Sequence, residues 1–310
     1  MKKGRIFTNC LYFVCTLVAA ISFASCSADS DSSYSGIDEK VIENAAEKTD
    51  ASFSVVLKAY SDNKDITVKG DVDQTTLFVF DQNNDFYKQV TLDRTYLLQA
   101  KPVEISCPGS KQITVVAWAG LSSENEEISA MSQANIISDL QVSLKQNNGV
   151  AATLPGDLFY GQVTLKSAST KSGAETLKIE RKVSSISLIT KSVIKVLDSK
   201  EGNFYYKVKN TKGSFNHNGE LTGENIEYII PATLNEKGNV VAENSAILPA
   251  SDVTIELYKD DIMILSSKNV KNSEKVSVNE LSEITFDLSK NNCNIVVTDW
   301  GTVIQHVTIG

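Results

Sequence analysis

The feature that most constrains the fold is a succession of short runs rich in β-branched and aromatic residues, each closed by turn-forming residues. Ser52 to Tyr60 (SFSVVLKAY), Thr75 to Phe80 (TTLFVF), Ile113 to Ala119 (ITVVAWA) and Leu177 to Ile189 (LKIERKVSSISLI) have this character. So do Asn203 to Val208, Ile226 to Ile230, Val253 to Tyr258, Ile262 to Leu265, Ile284 to Leu288 and Asn294 to Val297. Such side chains fit a pleated, half-buried surface, and short runs of them read as strands. Turn residues separate them at Asp81-Gln82-Asn83-Asn84-Asp85, Asp198 to Gly202 and Lys259-Asp260-Asp261. Many short strands punctuated in this way predict antiparallel β-sandwiches rather than alternating β and α units. One segment differs. Glu124 to Lys145 carries Ile128, Met131, Ile136 and Leu140 after a Ser122-Ser123 cap, which predicts a short helix or an irregular crossover.

The N-terminus carries a different signal. Lys2, Lys3 and Arg5 precede the mostly apolar stretch Ile6 to Ala24, the layout of an export signal peptide. Thr8, Asn9 and Thr16 weaken the stretch and small residues close it, which argues against a spanning helix of about 18 or more apolar residues. Phe23-Ala24-Ser25-Cys26 resembles the lipobox of bacterial lipoproteins, with Phe23 where Leu is usual. The resemblance implies that residues 1–25 are removed and that Cys26 becomes the lipid-bearing first residue. Each buried methylene contributes about 0.8 kcal/mol, so two or three acyl chains hold a protein on a membrane. An ordinary signal peptide cut nearby is the alternative. Asp29 and Asp31, set among serines, resemble the surface-export signal of some outer-membrane lipoproteins. A solvated, acidic tether over residues 26–51 accounts for the same composition.

Loss of Lys2, Lys3 and Arg5 with the signal takes the formal net charge from −8 to −11. That balance argues against nucleic acid as a partner and against electrostatic binding to anionic lipid. Of the five cysteines, Cys10 and Cys15 leave with the signal and Cys26 is acylated, so Cys107 and Cys293 remain. They are expected to be buried thiols rather than a disulfide. The remaining chain of roughly 285 residues suggests two domains. The division is placed after Lys191, giving sandwiches over 52–191 and 192–310, with the polar stretch Ser167 to Glu175 as an alternative linker.

The search for reacting side chains is mostly negative. His217 and His306 are the only histidines, and neither stands at metal-ligand spacing from a cysteine or acid. Asp81, Asn83 and Asp85 imitate the start of a calcium loop, but Phe86 replaces its glycine and Leu92 its bidentate acid, so a hairpin turn is expected. Ser61-Asp62-Asn63-Lys64 carries a fragment of a β-lactamase signature without its Lys-Thr-Gly partner and reads as a surface turn. No phosphate-binding glycine loop follows a strand. The sequence therefore predicts no enzyme, no metal and no cofactor. Trp118 is expected to face a core, whereas Trp300 is open between core and surface.

Taken in order, the lipobox, TLFVFDQNNDFYKQVTL from Thr75 to Leu92, ITVVAWAGLS from Ile113 to Ser122, DLFYGQV from Asp157 to Val163 and IERKVSSISL from Ile179 to Leu188 resemble the fimbrillin-associated anchor proteins. These are lipoprotein minor subunits at the base of type V pili. The resemblance is specific to about Leu188; beyond it the length and the VVTDW ending agree. It implies two consecutive transthyretin-like antiparallel sandwiches, matching the strand pattern. It also implies partners among the pilin subunits of the same fimbria, joined by strand complementation, and a surface-exposed position on the outer membrane at the fimbrium base. The flanks of Ser52 to Tyr60 and the last run, Thr302 to Ile309, are the candidate pairing elements. Shaft pilins of that superfamily lose a first strand to a protease, commonly an arginine-specific one. No arginine lies between Cys26 and Arg94, which favours an anchor that keeps its lipid, although Lys40, Lys48 and Lys58 leave a lysine-directed cut open. A shaft or tip pilin is therefore one alternative. The other is a surface glycan-binding lipoprotein, which requires several exposed aromatics on one face.

Overall fold

Turn chemistry and strand runs together account for nearly all the regular structure. The computed structural model describes residues 51–69, 72–167, 173–197, 200–269 and 274–300, which all fall within one compact unit. The expected signal peptide and all of the tether but Ala51, with Cys26, Asp29 and Asp31, lie outside the described residues, as do His306 and the run Thr302 to Ile309, while Ala51 itself is buried in a core.

The chain opens with β1 (Ser52–Ser61), β2 (Lys64–Asp65), β3 (Gln74–Phe80) and β4 (Phe86–Asp93). A single helical turn follows, α1 (Arg94–Leu98), capped by the Asp93 carboxylate, which accepts from the Thr95 N–H at 2.8 Å. After α1 come β5 (Val103–Ser106) and β6 (Gln112–Ala119). The crossover then holds β7 (Glu126–Ile128), β8 (Val142–Leu144), β9 (Gln146–Asn147) and β10 (Val150–Ala151). With β11 (Phe159–Lys166) and β12 (Glu175–Arg181) the first sheet is complete, in the order β2-β1-β12-β11-β6-β3-β4, with β5 also on β1. A second sheet takes the rest: β13 (Ser184–Lys191), β14 (Phe204–Phe215), β15 (Leu221–Leu234), β16 (Val240–Ile247), β17 (Ala250–Lys259), β18 (Ile262–Ser266), β19 (Glu274–Val276), β20 (Glu280–Asp287) and β21 (Asn292–Asp299). Its order is β18-β17-β14-β15-β16-β13-β20-β21, with β7 to β10 and β19 added at the side.

The second sheet folds over itself. β15 pairs with β14 through Ala232 and then with β16 through Thr233 and Leu234, so one long strand belongs to two layers. The layers face each other: the Tyr206 hydroxyl of β14 lies 2.7 Å from Thr190 Oγ1 of β13 and 3.1 Å from the Val240 carbonyl of β16.

Three expectations are refined by the structure. The run Leu177 to Ile189 is two strands, because Lys182 and Val183 leave the first sheet and Ser184 starts the second. The backbone is held at that exit by the Lys182 N–H donating to Leu158 and the Asn279 N–H donating to Val183. The change of sheet thus falls within a segment that reads as continuous. Glu124 to Lys145 is the irregular crossover and not an α-helix. Its serines and Asn135 bond locally, with Ser132 Oγ at 2.8 Å from Asn135 Oδ1 and Asp139 accepting from the Ile136 N–H at 3.0 Å, and such bonds compete with a helix. Most pairings are antiparallel, but β1 with β12, β13 with β20 and, through Val150 and Glu227, β10 with β15 are parallel, each joining strands separated by a long connection.

Two buried clusters follow from the two-residue period of the strands. In β3, Leu77 and Val79 enter one cluster and Phe78 and Phe80 the other; in β6, Val115 and Ala117 enter the first and Val116 and Trp118 the second. At β3 and β6 the first sheet is therefore covered on both faces, which is why TTLFVF and ITVVAWA lack polar alternation. The second cluster is continuous from Phe78 and Trp118 to Tyr206, Tyr228, Ile284 and Phe286 of the second sheet. Cys107 is a buried free thiol in the first cluster beside Ser110, whereas Cys293 is half-buried on β21.

Candidate docking edges and the junction between the sheets

In a protein whose sequence holds no reacting constellation, the surfaces that act are strand edges and the groups that fix them. β1 is not an edge. It is paired by β12 along Val55 to Tyr60 on one side, and on the other by β5 along Ser52 to Val55 and by β2 at Tyr60 and Ser61, so the flanks of Ser52 to Tyr60, a candidate from the sequence, are occupied over these stretches. The ends of the two sheets are β4, β18 and β21, with the two-residue β2 beyond β1. β4 is partly covered, since the Phe86 N–H donates to the Asn135 carbonyl at 2.9 Å and Asp85 bridges Ile136.

The turns next to these edges are built by residues that tolerate a left-handed backbone. Asp62 and Asn63 both have positive φ, 50° and 59°, and join β1 to β2 through a two-residue loop. Asp260 and Asp261 do the same between β17 and β18. At the expected hairpin Asp81 to Asp85, Asp81 Oδ1 accepts from the backbone N–H groups of Asn83 and Asp85 at 2.8 and 3.0 Å. That carboxylate closes a turn. Among the described residues no group of His, Cys, Asp and Glu is placed to hold a metal ion.

Where the chain passes between sheets, a polar junction forms around Arg181. Its side chain is 3% exposed and grips Asp157 with two bonds, Nε to Oδ1 at 2.6 Å and Nη2 to Oδ2 at 2.8 Å. Nη1 donates to Ser61 at the end of β1. The guanidinium lies between the rings of Phe159, 4.9 Å away, and Trp300, 4.5 Å away. Trp300 thus stacks on a buried charge and belongs to the junction. Lys64 of β2 reaches Asp299 of β21 at 3.0 Å, tying the two sheets across the same opening, a cavity of about 680 Å³. Sequence reasoning missed Arg181 and Asp157 because neither has a local signal; they meet through the fold.

A second contact joins the sheets through aromatic rings. The Trp118 ring, fully buried, lies 5.1 Å from Tyr160 and 5.3 Å from Phe215. The β14–β15 turn sits on Tyr160: a Cβ added to Gly219 would come within 2.4 Å of that ring, at a φ of +67°. The Tyr160 hydroxyl lies 3.0 Å from the His217 carbonyl, so this histidine contributes backbone. Burial, helped by the nearby Glu220 charge, pushes the Tyr160 hydroxyl up to about 12, and burial pulls Lys182 down. Elsewhere the stacked pair Tyr205 and Tyr258, 5.2 Å apart, is the aromatic feature of the outer face of β14 and β17.

The family described as fimbrillin-A associated anchor proteins matches residues 46–306. Among proteins of known role, the chain is 23% identical over 269 residues to the major fimbrium anchoring subunit FimB of Porphyromonas gingivalis, covering 82% of this chain and 87% of that one. Among solved structures, the fimbrial anchor protein Mfa2 from Porphyromonas gingivalis aligns with a TM-score of 0.59 at 14% identity, over 80% of this chain and 97% of that one. A DUF1812 protein from Bacteroides thetaiotaomicron aligns with a TM-score of 0.62 at 18% identity, over 83% of this chain and 99% of that one. These two show the same β-sandwich fold. With the family spanning most of its length, the chain belongs to the fimbrillin-A associated anchor proteins.

Proposed function

We propose that this chain is a non-enzymatic outer-membrane lipoprotein that anchors a type V fimbria at the cell surface and limits its length by ending assembly. The observation that carries the reading is the family match over residues 46–306. In this reading Cys26 bears the lipid, Asp29 and Asp31 direct export to the outer face, and residues 26–51 form the tether. The two sheets present the pairing surface to pilin subunits, and strand complementation makes the joint.

The position of β1 supports an anchor over a processed shaft subunit. β1 is paired on both sides and buries Phe53, Val55, Leu57 and Ala59. Arg94, the first arginine after Cys26, lies beyond β4 in α1, so a cut there would remove β1, β2, β3 and β4 together. Strand loss of that size would dismantle the first core.

Cys26→Ala tests the lipid. Cells carrying it are expected to release the protein and its fibres into the medium; fibres that stay cell-bound sink the reading. The mass of the N-terminal peptide from native membranes is an independent check, since an unlipidated start beyond Lys40, Lys48 or Lys58 identifies a polymerising subunit.

A further inference from the structure

Proteins normally guard a sheet edge with charge, proline, a bulge, short length or a covering loop, because an open ladder pairs with any suitable strand. The edges of this chain differ sharply by that criterion. β2 is two residues long and both are charged. β4 carries Lys88 and Asp93, and its start is covered by the crossover. β18 exposes Ile262 and Met263, but it has five residues and its pairing with β17 is broken by a register shift.

β21 lacks these guards along Asn292 to Thr298, its one charge being Asp299 at the last position. It runs for eight residues, pairs with β20 without a register shift, and carries no charged residue from Asn292 to Thr298. Among the described residues β20 is its only partner strand. Val296 and Val297 are 40% and 49% exposed, while Cys293 and Ile295 pack against the second buried cluster. A straight, neutral, β-branched edge of this length is an aggregation hazard unless another strand covers it.

We infer that β21 is the docking edge, and that its side facing away from β20 takes an extended, uncharged strand from a fimbrial subunit. The absence of charge selects a neutral strand, because a charged side chain set beside Ile295 or Val297 would be desolvated without a partner. The two-residue period selects apolar residues at alternate positions of that strand, on the side that extends the second cluster. The junction fixes the end of the edge: Asp299 is tied to Lys64, and Trp300 stacks on Arg181. This inference rests on the anchor reading and adds to it the edge that is used.

The test uses cells lacking their own copy and expressing the full chain, with fibre measured on cells and in the medium. Val296→Lys together with Val297→Lys places charge at exposed positions of the edge. Roughly tenfold or more shed fibre is expected, with the amount of membrane-bound protein and its melting temperature unchanged. Ile262→Lys on β18, also at an exposed position, should retain fibres like the parent. Fibres held normally by the β21 variant overturn the inference, as does equal shedding by the β18 variant. If removal of the whole protein leaves fibres attached, the anchor reading itself fails. A dimer of the isolated chain in sedimentation, lost in the β21 variant, would make a second copy the occupant and overturn the inference. So would slow amide exchange at every residue from Asn292 to Thr298 that becomes fast on truncation after Trp300, since the chain's own tail would then hold the edge.

Discussion

Arg181 is a buried cation whose compensation comes from Asp157, Ser61 and two rings drawn from separate strands and loops. Arg181→Ala leaves Asp157 without its bidentate partner and is expected to cost about 3 kcal/mol in chemical denaturation, with Arg181→Lys failing to restore it because an ammonium cannot reproduce the fork. Gly219 is constrained twice, by its backbone and by the Tyr160 ring. Gly219→Ala should destabilise by about 2 kcal/mol, and Tyr160→Ala in the same chain should relieve part of that penalty. Glu126 is buried and accepts from the N–H groups of Gly156 and Ser122 at 2.9 and 2.8 Å. Burial still holds its carboxyl above the ordinary 4.5, so just above that value the folded chain keeps a proton that the unfolded chain has released. Stability contributed by this group falls as pH rises above 4.5, and Glu126→Gln should flatten the fall in a denaturation series taken upward from that pH. Asp157, Tyr160 and Arg181 stand in the runs DLFYGQV and IERKVSSISL, but nothing local to those runs shows their roles, which come from neighbours brought in by distant segments.

At the scale of elements, turns were the most legible part of the chain. Asp81 to Asp85, Ser61 to Lys64 and Lys259 to Asp261 are turns as expected, since Asp and Asn support both the side-chain bonds and the positive φ that tight turns require. Asn63→Gly should be neutral or slightly stabilising, whereas Asn63→Val, which forces a β-branched residue to a φ of 59°, should cost about 1–2 kcal/mol in thermal unfolding. Strand identity was equally legible from β-branched runs. Strand partnership was not: Leu177 to Ile189 reads as one run, and only its environment shows that the first half pairs with β1 and β11 and the second with β16 and β20. The crossover from Glu124 to Lys145 has helical spacing of apolar residues, and local bonds by its serines and Asn135 override that spacing.

For the whole molecule, the second buried cluster joins residues of both sheets, and the Arg181 junction and the Trp118–Tyr160–Phe215 contact join them again. One cooperative unfolding transition is therefore expected in calorimetry, with van't Hoff and calorimetric enthalpies in agreement; two separated transitions would show that the sheets unfold independently. The sequence by itself determined the all-β class, the turns, the inward-facing Trp118 and membership of the anchor family. These depend on side-chain chemistry over a few neighbouring positions, and on motifs in a fixed order. Only the tertiary structure decided which strands end the sheets, that Trp300 lies against Arg181, and that β1 has strand partners on both sides while β21 has β20 alone among the described residues. Pairing and edge exposure are relations between segments far apart in the chain, and a two-residue alternation reads the same whether a strand has one neighbour or two.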